Sequence, residues 1–555
     1  MISTSADPQS VALRSKRHGL WRTVTYGELR SRVEAVAGGL ASLGVAAGDP
    51  VALLAENSPE WVVADLAIQH LGAVSVALPP QTPADAIARA VAASGAAVVI
   101  CGDQEHVDTV LEHELPAVKS IVAINQTGLG GYDDERLQPF AALSGSAPAA
   151  GSGTVVFFSA GTGGDPRPVT HASSVLAEIA GNVAAWLELS PSDRGLCVLS
   201  LATPAARVVD LYAPLSAGAQ VTIPESPATV LEDLAEVEPT VLCLSPRALE
   251  LLRTASERRS RASSQMRRRA YAWAMARLAA RLDSKDGART LDGARRGRGP
   301  AWQLVGRFVA SKLGVRRLRR IVVTGGPVAA RDACFFWGLG IPVLETYGQA
   351  ELGGPVLAQA SLDDAGTVGR PLPGVRSRID ADGGLSISNP ATGEGWHATG
   401  DLAEDAGDGR VRVRGRREDV VRAGGEDVIV AGLEAALCDS IYIRRSVVAP
   451  LGGDTLTAIV EVDPEEAGRW ASERDLHFST YGSLVSRPEI AALISDEVAA
   501  ANERIGARTA IADFIVLQQP LSVAAGELTA GLTVRRRVVI ERAGDAAKVK
   551  CASAT

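Results

Sequence analysis

The stretch that decides how this sequence is interpreted is Gly153-Thr-Val-Val-Phe-Phe-Ser-Ala-Gly-Thr-Gly-Gly-Asp-Pro-Arg-Pro-Val-Thr-His171. Its first half is β-branched and aromatic, which predicts a strand. The strand leads into closely spaced glycines at 161–164, which let successive backbone N–H groups turn toward one point and form an anion nest. The hydroxyl of Thr162 and the cation of Arg167 would complete a phosphate cradle. No Lys-Ser/Thr pair follows the last glycine, so this is not the common nucleotide loop, and alone it fits a flexible surface turn equally well.

Around this stretch, the first 240 residues alternate short β-branched runs with amphipathic helical runs. We predict helices over 28–43, 61–70 and 83–93, and strands over 50–55, 73–77 and 97–101. Such alternation with short connections predicts parallel sheets covered by helices. From residue 411 on, short strands and polar turns prevail, with a strand–turn–strand at 447–463 and a helix at 487–502. We therefore expect an α/β protein with a large N-terminal domain of parallel and mixed sheets covered by helices (1–415) and a small, mobile α+β C-terminal domain (416–555).

Composition limits the class of protein. The 555 residues are 46% hydrophobic and 22% charged, with a mean hydropathy of +0.11, which excludes a disordered chain. No apolar run approaches the roughly 20 residues of a membrane span, and the first ten residues lack a secretory signal, so we expect a cytoplasmic protein. The cysteines are scattered without a Cys-x-x-Cys pair, which predicts reduced core residues instead of disulfides or zinc ligands. They are Cys101, Cys197, Cys243, Cys334, Cys438 and Cys551.

Charge is distributed unevenly along the chain. Residues 251–320 carry a net +16, so the rest of the chain must carry −24 to give the total of −8. This basic insert has an apolar stripe at helical spacing, formed by Met266, Ala270, Trp273, Ala274, Leu278 and Leu282. Two interpretations stay open: a solvated arginine-rich surface helix, or a peripheral contact with an anionic membrane or polyanionic ligand. Nucleic acid is not an expected partner, because no aromatic platform accompanies the basic run.

Three later segments bring suitable groups to the ends of predicted strands. The strand in Leu318-Arg-Arg-Ile-Val-Val-Thr-Gly-Gly-Pro-Val328 ends in two glycines. Val343-Leu-Glu-Thr-Tyr-Gly-Gln-Ala-Glu351 delivers an aromatic ring that could stack on a base and a carboxylate that could hold Mg²⁺. In Gly395-Trp-His-Ala-Thr-Gly-Asp-Leu402, the carboxylate of Asp401 is a plausible acceptor for ribose hydroxyls.

In combination these segments resemble the AMP-forming acyl-CoA synthetases of the adenylate-forming superfamily, in particular the long-chain fatty acid branch. The resemblance covers nearly the whole chain in order, and the basic insert at 251–320 also matches this branch. Further matching segments are Val11-Ala-Leu-Arg14, Asn57-Ser-Pro-Glu-Trp61, Arg207-Val-Val-Asp-Leu-Tyr-Ala-Pro-Leu-Ser-Ala-Gly218, Val368-Gly-Arg-Pro-Leu-Pro-Gly-Val375, Gly415-Arg-Arg-Glu-Asp419 and Gly526-Glu-Leu-Thr529.

The resemblance implies a ligase of lipid metabolism that uses ATP, Mg²⁺ and CoA. A fatty acid carboxylate attacks the α-phosphate of ATP to give acyl-AMP and pyrophosphate; the small domain then rotates about a hinge, and the CoA thiol displaces AMP. Carried over by position, the phosphate-binding residues would be Ser159, Gly161, Thr162, Gly163, Gly164 and Arg167, and the Mg²⁺ ligands Glu351 and Thr162. The adenosine-binding residues would be Gly325, Gly326, Tyr347, Gly348, Asp401 and Arg416, with Asp419 as the hinge. Structural roles remain the alternative: a turn residue (Asp401), a helix-start carboxylate (Glu351), a surface charge (Arg416) and a core aromatic (Tyr347).

Several positions depart from the family's pattern. Arg167 stands where the phosphate loop has lysine, which keeps the charge but replaces a point charge by a planar fork. Thr203 stands where the family has histidine, and Ala206 where it has glutamate. The Gly325-Gly326-Pro327 turn is one residue shorter than usual, and a loop of roughly 15–20 residues before Trp396 is missing.

The last departure matters most, because Thr533 stands where the family has the catalytic lysine of the adenylation step. That lysine neutralises charge at the α-phosphate and the attacking carboxylate, and losing one such preorganised group costs ~10²–10³ in rate. No lysine occurs between Lys312 and Lys548. Two functions therefore stay open: an acyl-CoA ligase, slowed or using a borrowed cation (Arg535, Lys548 or Lys550), and an impaired paralogue that binds nucleotide or fatty acid without efficient adenylation. A third, weaker alternative is acyl transfer to a carrier-protein thiol instead of CoA.

Overall fold

A computed structural model of the chain describes residues 1–159, 167–261, 307–451, 453–506, 510–529 and 532–553, with a few positions from 265 to 276. Its largest sheet has seven strands in the order β7-β6-β5-β3-β4-β8-β9, parallel except for the last pair. These strands are β3 (Pro50–Leu54), β4 (Val74–Leu78), β5 (Val98–Cys101), β6 (Ser120–Ala123), β7 (Leu137–Pro139), β8 (Thr154–Phe158) and β9 (Pro168–Ala172). The helices of this region are α1 (Tyr26–Ser42), α2 (Pro59–His70), α3 (Ala84–Ser94) and α4 (Gln104–Leu111).

Local signals in the sequence set the starts of these helices. Thr25 and Glu28 form a reciprocal capping box at α1. Ser58 caps α2 by accepting the N–H of Trp61, and Pro59 occupies the first turn, where its missing N–H costs nothing. The six predicted helices and strands of this region are confirmed, each within two residues at either end.

A second region adds a five-stranded and a four-stranded sheet. The five-stranded sheet is β12 (Val241–Leu244), β13 (Arg320–Val323), β14 (Val343–Gln349), β15 (Gly354–Ala358) and β16 (Arg370–Pro371), parallel up to β14. The other has the order β10 (Arg194–Leu196), β11 (Gln220–Ile223), β1 (Val11–Arg17) and β2 (Leu20–Thr25). Its helices are α5 (Ser173–Trp186), α6 (Pro204–Ala206), α7 (Ala213–Ser216), α8 (Val230–Val237), α9 (Pro246–Arg261), α10 (Arg307–Lys312) and α11 (Ala330–Gly338).

The remaining sheets are small. The strands β17 (Arg376–Ile379), β18 (Gly384–Ser388), β19 (His397–Asp405) and β20 (Val411–Arg416) form an antiparallel sheet, and β21 (Val420–Ala423) pairs with β22 (Glu426–Ile429). The last sheet holds β23 (Ile443–Pro450), β24 (Leu456–Val462) and β25 (Ile511–Val516). The helices here are α12 (Ala431–Cys438), α13 (Pro464–Ser472), α14 (Tyr481–Val485), α15 (Pro488–Ile505) and α16 (Arg536–Ser553). The strand–turn–strand predicted at 447–463 and the helix at 487–502 are confirmed as β23–β24 and α15.

The cysteine prediction is partly wrong. Cys101, Cys197 and Cys243 are buried as expected, but Cys334 is exposed, because α11 turns its bulky neighbours Phe335 and Phe336 into the core. Within the described residues, no group of three or more acidic, histidine or cysteine side chains could hold a metal ion, and no helix could cross a membrane. Of the predicted stripe in the basic insert, only Trp273 belongs to the described residues, and it is exposed; Met266, Ala270, Ala274, Leu278 and Leu282 lie outside them. The side chain of Cys551 also lies outside the part that is described.

A buried ion pair joins the first region to the second. Asp65 on α2 and Arg207 are both fully buried, with Nη1 of the arginine 3.3 Å from Oδ1 of the aspartate. Asp65 also accepts hydrogen bonds from Ser75 (2.6 Å), Tyr212 (2.6 Å) and Gln69 (2.9 Å). These donors satisfy the carboxylate, which would otherwise be costly to bury.

Arg207 begins a π-helical segment (Arg207–Tyr212) that separates α6 from α7. Its Nε donates to the carbonyl of Leu201 at 2.7 Å, and its guanidinium lies 4.7 Å from the ring centre of Trp61 and 5.0 Å from that of Phe157. A cation between two aromatic faces gains quadrupole attraction where water cannot reach it. The planar guanidinium is thus fixed by an ion pair, a carbonyl and two rings.

We predict that Arg207→Leu lowers the free energy of unfolding by about 3–5 kcal/mol, because it leaves the Asp65 charge buried without its cation. Arg537→Gln is the control: Arg537 is exposed and pairs with Glu541 one turn along its helix, so its loss should cost under about 0.5 kcal/mol. Both are measured by urea unfolding. A double variant Asp65→Asn/Arg207→Leu should lose less than the sum of the single losses, and strict additivity would contradict the coupling.

Candidate active site

A cavity of about 1820 Å³ lies where β4, β8 and β14 and the loop after β13 meet the end of the small C-terminal part. Its lining comes from chain segments far apart in sequence. The carboxyl ends of parallel strands in α/β sheets form such crevices, and ligands bind there. Seven of the predicted site residues line it: Ser159, Arg167, Gly325, Gly348, Glu351, Arg416 and Thr533.

Two hydrogen bonds join Ser159 and Arg167, the residues that flank the glycine-rich run. The N–H of Ser159 donates to the carbonyl of Arg167 at 2.9 Å, and the N–H of Arg167 donates to Oγ of Ser159 at 2.9 Å. Both residues line the cavity, so the run between them starts and ends at its wall. The predicted phosphate-binding residues Gly161, Thr162, Gly163 and Gly164 lie outside the described residues.

His171 connects this strand pair to the segment that carries Glu351, a role that the sequence analysis missed. It is buried, and its Nε2 lies 2.7 Å from the carbonyl oxygen of Ala350, so Nε2–H must be the donor. Burial lowers the pKa of His171, which keeps the ring neutral at physiological pH. Since Ala350 directly precedes Glu351, this contact fixes the backbone beside the carboxylate in the cavity wall.

Gly348 is required by the close approach of two strands. The β14–β15 ladder is irregular between Tyr347 and Gly348, and a Cβ at Gly348 would come within 2.2 Å of the carbonyl oxygen of Gly354. Gly325 also lines the cavity and has φ of +87°, where glycine is favoured, whereas Gly326 does not line it. Because Gly325 and Gly348 have no side chains, their backbone atoms are accessible at the cavity wall.

Glu345 stabilises the turn that contains Gly325 from the side away from the cavity. It was not predicted from the sequence. Its carboxyl accepts the N–H of Val328 at 3.0 Å, which ties β14 to the turn that follows Gly325. Burial raises the pKa of Glu345 to about 7. The residue therefore supports the turn and does not face the cavity.

Tyr347 and Asp401 are brought together behind the cavity wall. The tyrosine hydroxyl and Gln349 Nε2 (3.0 Å) both donate to Asp401 Oδ2, and Arg416 Nε lies 3.6 Å from the other carboxylate oxygen. Asp401 and Arg416 face each other across the β19–β20 pair. Burial raises the pKa of Asp401, although the hydrogen bonds and Arg416 oppose that shift.

Neither Tyr347 nor Asp401 belongs to the lining, whereas Gln349, Gly400 and Arg416 do. Gln349 and His397 are further lining residues. Neither was predicted from the sequence, although they lie in the segments 343–351 and 395–402. His397 Nε2 lies 3.3 Å from Gln349 Oε1, so the pair extends the polar network to the cavity surface. Tyr347, Gln349, His397 and Arg416 thus form a preformed polar patch around the buried carboxylate of Asp401.

The C-terminal part closes one side of the cavity. Its lining residues are Arg416, Glu418, Val523, Gly526, Leu528, Thr529, Leu532, Thr533 and Arg535. Asp419, the predicted hinge, does not line the cavity; it lies in a 3₁₀ turn between β20 and β21, where Arg536 Nε is 3.0 Å from its carboxylate. Burial raises the pKa of Asp419, opposed by Arg536. Thr203, in the position of the family's histidine, lines the cavity, and Ala206 is buried outside it.

Part of the cavity wall is apolar, although α3 also contributes Asp85, Arg89 and Ser94 to it. Val74 and Val76 of β4 and Val156 and Phe158 of β8 face the cavity, at alternate positions as strand geometry requires. Helix α3 adds Ala86, Ala90 and Ala93. One cavity therefore combines charged and apolar surfaces, which suits a ligand with both characters.

The donor groups fit a magnesium ion that is shared with phosphates. Mg²⁺ is usually held by one or two carboxylates together with substrate phosphate oxygens and water. Glu351 supplies one carboxylate at the cavity wall, close to the base of the glycine-rich run. The second predicted ligand, Thr162, lies outside the described residues.

Sequence comparison finds long-chain-fatty-acid–CoA ligases of similar length. FadD15 of Mycobacterium tuberculosis is 29% identical over 97% of this chain and 93% of its own. ACSBG2 of Gallus gallus is 25% identical over 96% of this chain and 78% of its own.

Among solved structures, the adenylation domain of a carboxylate reductase from Mycobacterium chelonae has a TM-score of 0.72 at 20% identity, covering 98% of this chain and 89% of its own. The anthranilate CoA ligase AuaEII in complex with anthranoyl-AMP has a TM-score of 0.70 at 18% identity, covering 98% of this chain and 95% of its own. These likenesses show the fold: an α/β protein with a large N-terminal domain and a smaller C-terminal one. The AMP-binding enzyme family matches residues 3–401, well over half of the sequence, and the chain is therefore a member of that family.

Proposed function

We propose that this protein activates a long-chain fatty acid with ATP, forming acyl-AMP and pyrophosphate, and then transfers the acyl group to CoA with release of AMP. The observation that carries the proposal is the composition of the cavity. Ser159, Arg167 and Glu351 line one part of it, and an apolar wall from β4, β8 and α3 lines another. The curated relatives are named as ligases that join long-chain fatty acids to CoA.

In this proposal the phosphates of ATP lie between the glycine-rich run and Arg167, with Mg²⁺ held by Glu351 and Thr162. The bound Mg²⁺ would neutralise phosphate charge and orient the triphosphate. The arginine at 167 offers two parallel N–H donors to one phosphate, where a lysine would offer a point charge. The adenosine would rest against Gly325 and Gly348, with its ribose toward Asp401 and Arg416.

The alkyl chain of the substrate would lie along the apolar wall formed by Val74, Val76, Val156 and Phe158. Burying an alkyl chain contributes about 0.8 kcal/mol for each CH₂ group, so a long chain gains much of its affinity there. The carboxylate end would then point toward the phosphate-binding residues in the same cavity. CoA is the proposed acceptor, and a carrier-protein thiol is the alternative.

The proposed domain division places the boundary at residue 415, with Asp419 at the hinge. Val411 packs in a core with Leu352 and Leu385, while Ala423 packs in a separate core with Val448. The short segment between these two cores is where a rotation would disturb the fewest buried contacts. Movement of residues 416–555 would then exchange the groups presented to the adenylate.

An impaired paralogue is the second candidate, and Thr533 favours it. Thr533 faces the cavity where the family's lysine would, and a neutral hydroxyl cannot balance the charge of the transition state. Binding of nucleotide without pyrophosphate release would identify this case.

We further propose that the basic insert at 251–320 contacts anionic lipid at the membrane surface. Its net charge is +16, and Arg268, Arg269 and Trp273 are exposed. Arginines attract anionic headgroups, and an exposed tryptophan inserts favourably at the interface.

The ligase proposal is tested with ATP, Mg²⁺, CoA and a long-chain fatty acid, following pyrophosphate and acyl-CoA. We expect wild-type turnover. Little change in the adenylation rate of Thr533→Lys would show that another cation replaces the lysine, whereas a gain of up to ~10²-fold would show that none does. Thr533→Met is the control, since it adds length without charge. ATP binding by wild type with no pyrophosphate from wild type or from Thr533→Lys would reject the ligase and leave the impaired paralogue.

The role of Asp401 is tested by ATP binding in titration calorimetry. We predict that Asp401→Asn raises the Kd for ATP by about 10- to 100-fold, because this carboxylate positions Gln349 and Arg416 at the cavity wall, and hydrogen bonds to charged groups contribute about 1.5–3 kcal/mol. Glu404→Gln, a change on the same strand in an exposed pair with Arg412 and Arg414, should leave the Kd within about twofold. Normal ATP affinity in Asp401→Asn would contradict a role of the polar patch in nucleotide binding.

The membrane proposal is tested by co-sedimentation with two kinds of vesicle, one of phosphatidylcholine alone and one that also contains about 30–40% phosphatidylserine. Anionic lipid at about this level attracts polybasic segments. We expect binding to the anionic vesicles only, and release as salt rises, because screening shortens the electrostatic range to about 3 Å at 1 M. A protein that ignores anionic vesicles at low salt would contradict the proposal.

A further inference from the structure

Two hydrogen bonds to Thr529 fix the position of Leu532 and Thr533 beside the cavity. The N–H of Leu532 and that of Thr533 donate to the carbonyl and hydroxyl of Thr529, at 2.8 and 3.1 Å. Leu528 and Val534 bridge across the turn, and the N–H of Arg535 donates to the carbonyl of Glu527 at 2.8 Å. Arg535 is therefore held in a defined register relative to Thr533.

Side chains alternate along this extended segment. Thr533 and Arg535 both line the cavity, whereas Val534 between them packs against a small core that includes Val447, Ile459 and Leu528. Alternate residues of an extended chain point to the same side and lie about 7 Å apart along it. The long side chain of Arg535 can therefore bring its cation to the region above Thr533, which a lysine at 533 would occupy.

Arg535 differs from its arginine neighbours in having no ionic partner among the described residues. Arg536 pairs with Asp419 and Glu434, Arg537 with Glu541, and Arg542 with Glu527. Within the described part of the chain, the Nε of Arg535 is buried without a hydrogen-bond partner. A guanidinium without an ionic partner keeps its charge for a ligand, and an anionic group in the cavity would supply that partner.

Among the lining residues of the segment 523–535, Arg535 is the charged one. Lys548 and Lys550, the other cations considered from the sequence, have side chains outside the described part. Arg167 and Arg416 line other regions of the cavity, at the glycine-rich run and beside Asp401. Arg535 is thus the cation placed nearest in the chain to the missing lysine.

We infer that Arg535 is a catalytic residue of adenylation, which supplies the positive charge that Thr533 lacks. The inference rests on the proposed function. In the step, a carboxylate oxygen of the fatty acid forms a bond to the α-phosphorus, and the bond from that phosphorus to the bridging oxygen breaks. The electron pair leaves with pyrophosphate, and no proton is transferred. The guanidinium stays protonated and neutralises the charge that gathers on the α-phosphate oxygens.

The test separates the two half-reactions in Arg535→Gln. Adenylation is followed by exchange of labelled pyrophosphate into ATP with a long-chain fatty acid present, and thioester formation by supplying synthetic acyl-AMP and CoA. We expect exchange to fall by ~10²-fold, while thioester formation changes by less than about threefold. Arg537→Gln is the matched control, an exposed arginine two residues away, and should leave both rates unchanged. Urea unfolding midpoints establish that the variants are folded.

A second variant tests whether the charge itself matters. In Arg535→Gln/Thr533→Lys, the lysine at 533 should recover most of the lost exchange, because either position can place a cation at the α-phosphate. Unchanged exchange in Arg535→Gln would overturn the inference. Equal loss of both half-reactions without rescue by the lysine would also overturn it, since a structural role would give that result.

A binding measurement tests the role of Arg535 separately from the ligase proposal. If wild type shows no exchange, the probe is an acyl sulfamate analogue of acyl-AMP, which binds without turnover. Affinity about tenfold weaker in Arg535→Gln than in Arg537→Gln would support the assigned contact. Equal affinity in the two variants would overturn it, whatever the activity of the wild-type protein.

Discussion

The buried ion pair between Asp65 and Arg207 is the interaction on which the rest of the structure depends. It joins α2 of the first region to the π-helical segment of the second, and both charges are fully removed from water. Such a pair is tolerated only when every partner is in place, because an unpaired charge in the same position is strongly destabilising. The relative position of the two regions is therefore fixed by electrostatics as well as by apolar packing.

The effect of this pair extends to the cavity through direct contacts. The guanidinium of Arg207 lies over the ring of Phe157, whose own ring centre is 5.9 Å from that of His171. His171 in turn donates to the carbonyl of Ala350, next to Glu351. One continuous set of contacts thus runs from a structural ion pair to the carboxylate proposed to hold Mg²⁺. A residue far from the substrate can affect the site by this route without touching it.

Three of the departures from the family's motifs, Arg167, Thr203 and Thr533, line the same cavity. Ser159 and Arg167, which flank the glycine-rich run, are hydrogen-bonded to each other, and Asp401 accepts hydrogen bonds from Tyr347 and Gln349. The chain has arginine at 167 and threonine at 533, where the family's motifs have lysine. Arginine is also far more frequent than lysine in the whole sequence. Arginine stays charged in any protein environment, so a site built on it depends less on burial for its charge state.

Sequence alone determined the element types, the order of the motifs and the family, because hydrophobic periodicity and glycine positions are local properties that folding rarely overrides. It also located Ser159, Arg167, Gly348, Glu351 and Arg416, which line one cavity although some lie more than 200 residues apart. Only the tertiary structure decided that Tyr347 and Asp401 lie behind the wall, and that His171 and Glu345 support it from the core. These outcomes depend on which side chains meet across separate strands, and a local pattern holds no information about a partner elsewhere in the chain. The same reason applies to Arg535: its charge could be read in the sequence, but its lack of a partner emerged only from the packing around it.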